Sequence, residues 1–84
     1  MNNVNTILQP KQQHDNGFTT ELLQGQFEDV FGTYNYCVRI FNLVGEEVSR
    51  TLLDTLADAR NEVKHQSNVP ADSWPISDQK YHIA

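Results

Sequence analysis

The stretch Tyr34–His65 constrains the fold more than any other, because no other part of the chain is long and patterned enough to organise a core. Its first ten residues, Tyr34–Leu43, are dense in aromatic and β-branched side chains, which fit a pleated, half-buried strand. Gly45 interrupts that pattern. Glu46 and Glu47 then stand where the positive end of a helix dipole favours acids. Val48, Leu52, Leu56, Ala59 and Val63 follow at spacings of four, four, three and four, which is one apolar stripe on a helix. Glu46, Arg50, Asp54, Asp58, Asn61 and Glu62 occupy the opposite side, with Glu46 and Arg50 as an i,i+4 pair. The spacing predicts a helix from Glu46 to about Gln66, with Lys64 and His65 in its last turn and Pro70 beyond it.

Upstream, residues 19–31 fit two periods. Read as a helix, they place Leu23, Phe27, Val30 and Phe31 on one side and give an α-β-α unit, with Gly25 inside the helix at a cost of about 1 kcal/mol. Read as a strand, they lead into Gly32-Thr33, which fits a two-residue type II′ hairpin loop. That turn pairs Phe31 with Tyr34, Asp29 with Tyr36, Phe27 with Val38 and Gly25 with Ile40. One face then collects Leu23, Phe27, Phe31, Tyr34, Tyr36, Val38 and Ile40. On the other, Glu28 opposes Cys37 and lies diagonal to Arg39. A one-residue slip would scatter both groups, so the hairpin is the preferred reading. The expected fold is α+β: an antiparallel hairpin, extended to three strands if a terminus adds one, with one amphipathic helix across it. Phe27, Tyr36, Val38, Ile40, Leu52, Leu56 and Val63 are the expected core.

The folded ββα unit spans residues 18–66. Residues 1–17 read as a polar, flexible arm, with a short edge strand at Asn3–Leu8 or a partner-binding arm as the competing readings, and residues 67–84 read as an irregular tail. In that tail Pro70 and Pro75 bracket Trp74, which either seals the end of the core or anchors a partner. A chain of 84 residues buries only about 60% of the surface it exposes when unfolded, and small scaffolds make up the deficit with disulfides, a metal or a partner chain. With Cys37 as the single cysteine, no intrachain disulfide forms, and a lone thiol suits a reducing cytoplasm. The chain has no apolar run of about 18 residues, and Met1–Thr6 reads as lacking the basic start and apolar stretch of a signal peptide, so a soluble cytoplasmic protein is expected. Oligomerisation is the remaining remedy. A homodimer is expected, because the sheet face carrying Leu22, Val30, Phe41 and Leu43 needs cover, with Phe41, Leu43 and Trp74 at the interface.

Charge placement says more than the net value of −5. Between Glu21 and Asp58 seven acids face Arg39 and Arg50, while the flanks carry four acids and four bases. The folded part therefore holds the negative charge, which disfavours nucleic acid, whose phosphates are met by Lys and Arg. His14, His65 and His82 lack the short spacings of zinc signatures, Cys37 falls mid-strand rather than where a thiolate is stabilised, and the glycines form no phosphate loop. No catalytic residue, metal or cofactor is assigned. The expected function is a small acidic, non-enzymatic protein–protein interaction module, such as an adaptor, inhibitor or regulatory subunit, that meets a basic partner surface through Glu46, Glu47, Asp54 and Asp58, with no membrane contact. The alternative is single-stranded nucleic-acid binding by stacking on Phe27, Tyr34 and Tyr36, and it is weakened by Arg39 being the only base in the hairpin.

Overall fold

A computed structural model describes residues 5–70 and shows an α+β fold: a four-stranded antiparallel sheet with one helix packed on it. The strands β1 (Thr6–Gln13), β2 (Thr19–Asp29), β3 (Gly32–Phe41) and β4 (Glu47–Leu53) lie side by side in chain order, and α1 (Leu56–Asn68) follows. The expected hairpin is β2–β3, so residues 19–31 are strand and the helical alternative does not apply. β1 and β4 add one strand to each side of it. Thr6–Gln13, expected as part of a flexible arm, is held by antiparallel pairing to β2; ladder hydrogen bonds stabilise this polar segment without requiring an apolar core of its own.

The hairpin turn lies two residues earlier than expected. Asp29 pairs with Gly32, leaving Val30 and Phe31 as the two central residues. The Asp29 carboxylate accepts hydrogen bonds from the Phe31 and Gly32 amides at 2.7 and 3.1 Å. No non-glycine residue has a positive φ among the described residues, which excludes the primed turns at Val30-Phe31 and fits a type I turn with Asp first and Gly last. Phe27 therefore opposes Tyr34, and after an irregularity between Gln24 and Phe27 the register places Leu22 opposite Val38 and Leu23 opposite Cys37. The expected pairing of Phe27 with Val38 is replaced by this one, and Leu22 moves to the helix-covered face.

The segment 46–54 also departs from expectation. The helix starts at Leu56 rather than Glu46, and Glu47–Leu53 is strand β4. Asn42 begins the change: its side-chain oxygen accepts from the amides of Val44 and Glu46 at 3.0 and 2.9 Å, while Gly45 takes φ +88°, a left-handed conformation that suits glycine. That tight turn returns the chain beside β3, whose outer backbone groups β4 then satisfies. Val48, Ser49 and Thr51 are poorer helix formers than their spacing implies. Thr55 caps α1 by accepting from the Asp58 amide at 3.1 Å.

The core lies between α1 and one sheet face: Phe18, Leu22, Val38, Ile40 and Ala59 are buried together, with Tyr36, Val48, Leu53, Leu56 and Val63 packed against them. Of the expected core residues, Val38 and Ile40 are fully buried, Tyr36, Leu56 and Val63 pack at its margin, and Phe27 and Leu52 are half-buried outside it. Asn16, in the β1–β2 turn, closes the far end by donating to the carbonyls of Gln66 and Val69, both at 2.8 Å, which ties that turn to the helix C-terminus. Leu22→Ala should cost about 2–5 kcal/mol, and Leu52→Ala clearly less; urea unfolding of both variants checks the register, and equal losses would contradict it.

Candidate protein-interaction surface

The acids sort into two classes according to how the strands place them. β3 carries Arg39 on the face away from the helix, opposite Glu21 on β2 and Arg50 on β4. The Arg39 guanidinium donates to Glu21 Oε1 through Nη1 and to Glu47 Oε1 through Nη2, both at 2.9 Å, and Glu47 also receives Arg50. The Glu21 side chain is only 8% exposed. Arg39 further lies over the Phe41 ring at 4.9 Å and Lys11 at 4.5 Å, contacts that combine cation–π attraction with cover for an apolar ring. The anticipated partner of Arg39, Glu28, is displaced by the register, and Glu21 takes its place.

Bonding to Arg50 and Arg39 holds the Glu47 carboxyl below its ordinary pKa range, against an opposing effect of partial burial. Burial pushes the Cys37 thiol up, and its side chain is fully covered, so it is a structural cysteine with little thiolate to offer.

The two arginines of the segment Glu21–Asp58 are thus used inside the molecule, on Glu21 and Glu47. The other five acids, Glu28, Asp29, Glu46, Asp54 and Asp58, are exposed, and none forms an ion pair among the described residues. Of the four expected partner-binding acids, Glu47 is therefore committed to Arg39 and Arg50, while Glu46, Asp54 and Asp58 face solvent. Glu46 and Asp54 sit at opposite ends of β4, seven residues long, which separates them by about 20 Å or more. Leu53 pairs with Tyr36, so Asp54 and the first turn of α1, with Asp58, lie where the hairpin leaves the sheet. Glu28 and Asp29 stand on that same projecting hairpin.

The projection comes from unequal strand lengths. The pairing of β1 ends at Gln24 and that of β4 at Tyr36, so among the described residues 25–35 form a two-stranded ribbon about five residues long, roughly 17 Å. At its tip Val30 is 91% and Phe31 86% exposed. Beside it an open cleft is lined by Gln26, Phe27, Glu28, Asp29, Arg50 and Leu52. Sequence reading missed this tip because it placed Phe31 within the strand; the signal for it was Asp29 three residues ahead of Gly32.

The expected interface residues fare differently. Phe41 is buried under Lys11 and Arg39, Leu43 is half-buried and packs at Gly17, where a side chain would collide with it, and Trp74 lies outside the described residues. Of the three aromatics expected for base stacking, all are half-buried, and Tyr36 packs against the margin of the core. Among the described residues no three His, Cys, Asp or Glu side chains gather as a metal site, and no helix is long and apolar enough to cross a membrane. Comparison with known protein families, curated proteins and solved structures finds no match for the chain.

Two outcomes check the charge network. Arg39→Ala, which strands the Glu21 carboxylate in a covered site, should cost about 3 kcal/mol, and pairing it with Glu21→Gln should recover most of that loss in urea unfolding. Glu47 has a folded pKa below its unfolded value of 4.5, so its contribution is present above that value and is lost as pH falls through the folded pKa. Stability should therefore decline on acidification, and Glu47→Gln should be less stable at neutral pH with a shallower acid limb.

Proposed function

We propose that this chain is a small acidic, non-enzymatic protein–protein interaction module, working in the cytoplasm and binding a basic surface on a protein partner as an inhibitor, adaptor or regulatory subunit. The observation that carries the reading is the division of charge in the folded segment: both arginines are bound to Glu21 and Glu47, and Glu28, Asp29, Glu46, Asp54 and Asp58 are exposed and form no ion pair among the described residues. Four of these five stand at the end from which the ribbon projects. Exposed charge of one sign raises the encounter rate with a complementary surface and selects among partners more than it adds affinity. The buried thiol and the polar contacts inside the sheet supply support for that surface and take no part in it.

The test begins with a tagged full-length chain used to capture its partner from the native host, followed by association kinetics on the purified pair. Asp54→Asn/Asp58→Asn should slow association by about tenfold at low salt and flatten its salt dependence, with the dissociation rate changed far less. The double variant should unfold at the same urea concentration as the wild type. Association at the wild-type rate at low salt would mean that these acids are simply solvated.

A further inference from the structure

The turn between β1 and β2 carries a titratable group that neither the charge network nor the ribbon uses. His14 follows β1: its backbone amide donates to the Phe18 carbonyl and its carbonyl accepts from the Gly17 amide, both at 2.8 Å. Its half-buried ring sets Nε2 at 2.8 Å from the Thr20 hydroxyl oxygen. Thr20 is only 3% exposed. It stands between Gln12 and Ile40 in the sheet and two residues from Leu22, on the helix-covered face. In the same turn Asn16 donates to the carbonyls of Gln66 and Val69, so the segment that holds the imidazole is docked on the last turn of α1. Ser67 and Asn68 line the polar cleft between the two, together with Gln12, Gln13, His14 and Asp15.

A buried hydroxyl needs an acceptor for its proton, and among the described residues the Thr20 hydroxyl bonds to His14 Nε2. A neutral ring protonated at Nδ1 accepts that proton. Imidazolium cannot, because both of its nitrogens are donors, and the Thr20 proton is then left without an acceptor in a covered site. The surroundings also do little for the added charge. From β2 the ring meets Thr20, and from α1 the cleft receives Ser67 and Asn68, none of them charged. Asp15, on the turn itself, attracts the cation, but burial outweighs it and holds the His14 pKa below the ordinary 6.5. The carbonyl end of a helix ordinarily favours a cation. Here those carbonyls are engaged: Gln66 by Asn16 and the Val69 amide, and Lys64 by the Ser67 and Asn68 side chains.

We infer that His14 is a pH-operated latch: neutral, it accepts from Thr20 and keeps the β1–β2 turn docked on the C-terminal end of α1; protonated, it gives up Thr20 and the turn comes away from the helix. With a folded pKa below the unfolded value of 6.5, docking is complete above 6.5 and is lost as pH falls through the folded pKa. Glu47 titrates below its own unfolded value of 4.5, so a response above that pH does not come from Glu47.

Two measurements on the full chain test the latch. Imidazole nitrogen chemical shifts, with His14 assigned by its absence from the His14→Gln spectrum, should show Nε2 without a proton at neutral pH and a titration midpoint below 6.5. Hydrogen exchange from about pH 7.5 to 5, corrected for the intrinsic rate, should show the Asn16 side-chain amide and the Gly17 backbone amide losing protection on acidification while the Val38 amide in the core keeps its own. His14→Gln never charges, and its amide oxygen can still accept from Thr20, so that variant should keep Asn16 and Gly17 protected across the range. A ring protonated at Nε2 at neutral pH, a midpoint at or above 6.5, unchanged protection at Asn16 and Gly17, an equal loss at Val38, or the same loss in His14→Gln would each overturn the proposal. The latch lies at the opposite end of α1 from Asp58, so its failure leaves the acidic-surface reading standing, and the reverse.

Discussion

Leu22 opposite Val38 is the pairing on which the rest of the molecule depends. With that register Phe18, Leu22, Val38 and Ile40 fall on one face, where Ala59 and its neighbours on α1 can cover them. The same register places Glu21 opposite Arg39, so that one long cation links three strands. It also sets how far the hairpin runs past its neighbours. A slip of one residue would reverse each of these placements together, since side chains alternate between sheet faces. Core, ion network and projecting ribbon are consequences of one choice of strand partners.

The two sheet faces solve burial by different means. One is covered by a helix in the ordinary manner of a two-layer domain. On the other, Cys37 and Phe41 are as deeply covered, and the surrounding polar groups are matched: Arg39 to Glu21 and Glu47, with Lys11 over Phe41. Ion pairs that are partly covered hold a register strongly, because removing one member leaves a charge without compensation, although the pair itself adds little against an apolar substitute. Using both arginines of the segment in this way has a consequence at the surface. Among the described residues the acids left outside, Glu28, Asp29, Glu46, Asp54 and Asp58, form no ion pair.

The ribbon illustrates how a small fold can hold an apolar feature in water without losing order. Asp29 closes the turn through backbone amides rather than through side-chain packing, so Val30 and Phe31 need no contact within the chain to be fixed in place. Preorganisation of this kind lowers the entropic cost of any association that uses them. It also keeps the tip apart from the core, whose packing would be disturbed if Phe31 folded inward.

How much of this was legible beforehand follows from the physics of each element. Residues 18–43 could be read as a hairpin because aromatic and β-branched residues fall in two runs about a turn, and α1 could be read over Leu56–Val63 because its apolar spacing is helical. The exact turn could not be placed by glycine alone: Gly32 suits the first central position of a II′ turn and equally the last position of a type I turn, and the Asp29 side chain decides between them. Segment 47–53 carried a helical period through Val48 and Leu52, yet became β4, since the open edge of β3 offers backbone partners that only exist once the sheet has formed. Thr6–Gln13 is ordered for the same reason despite its polar composition. By itself the sequence determined the class of fold, the sign and location of the charge, and the lack of a disulfide. Which acids remain exposed, and that Phe41 is covered while Phe31 is not, were decided by strand register, because a tertiary pairing rather than any local preference chooses the face on which each side chain stands.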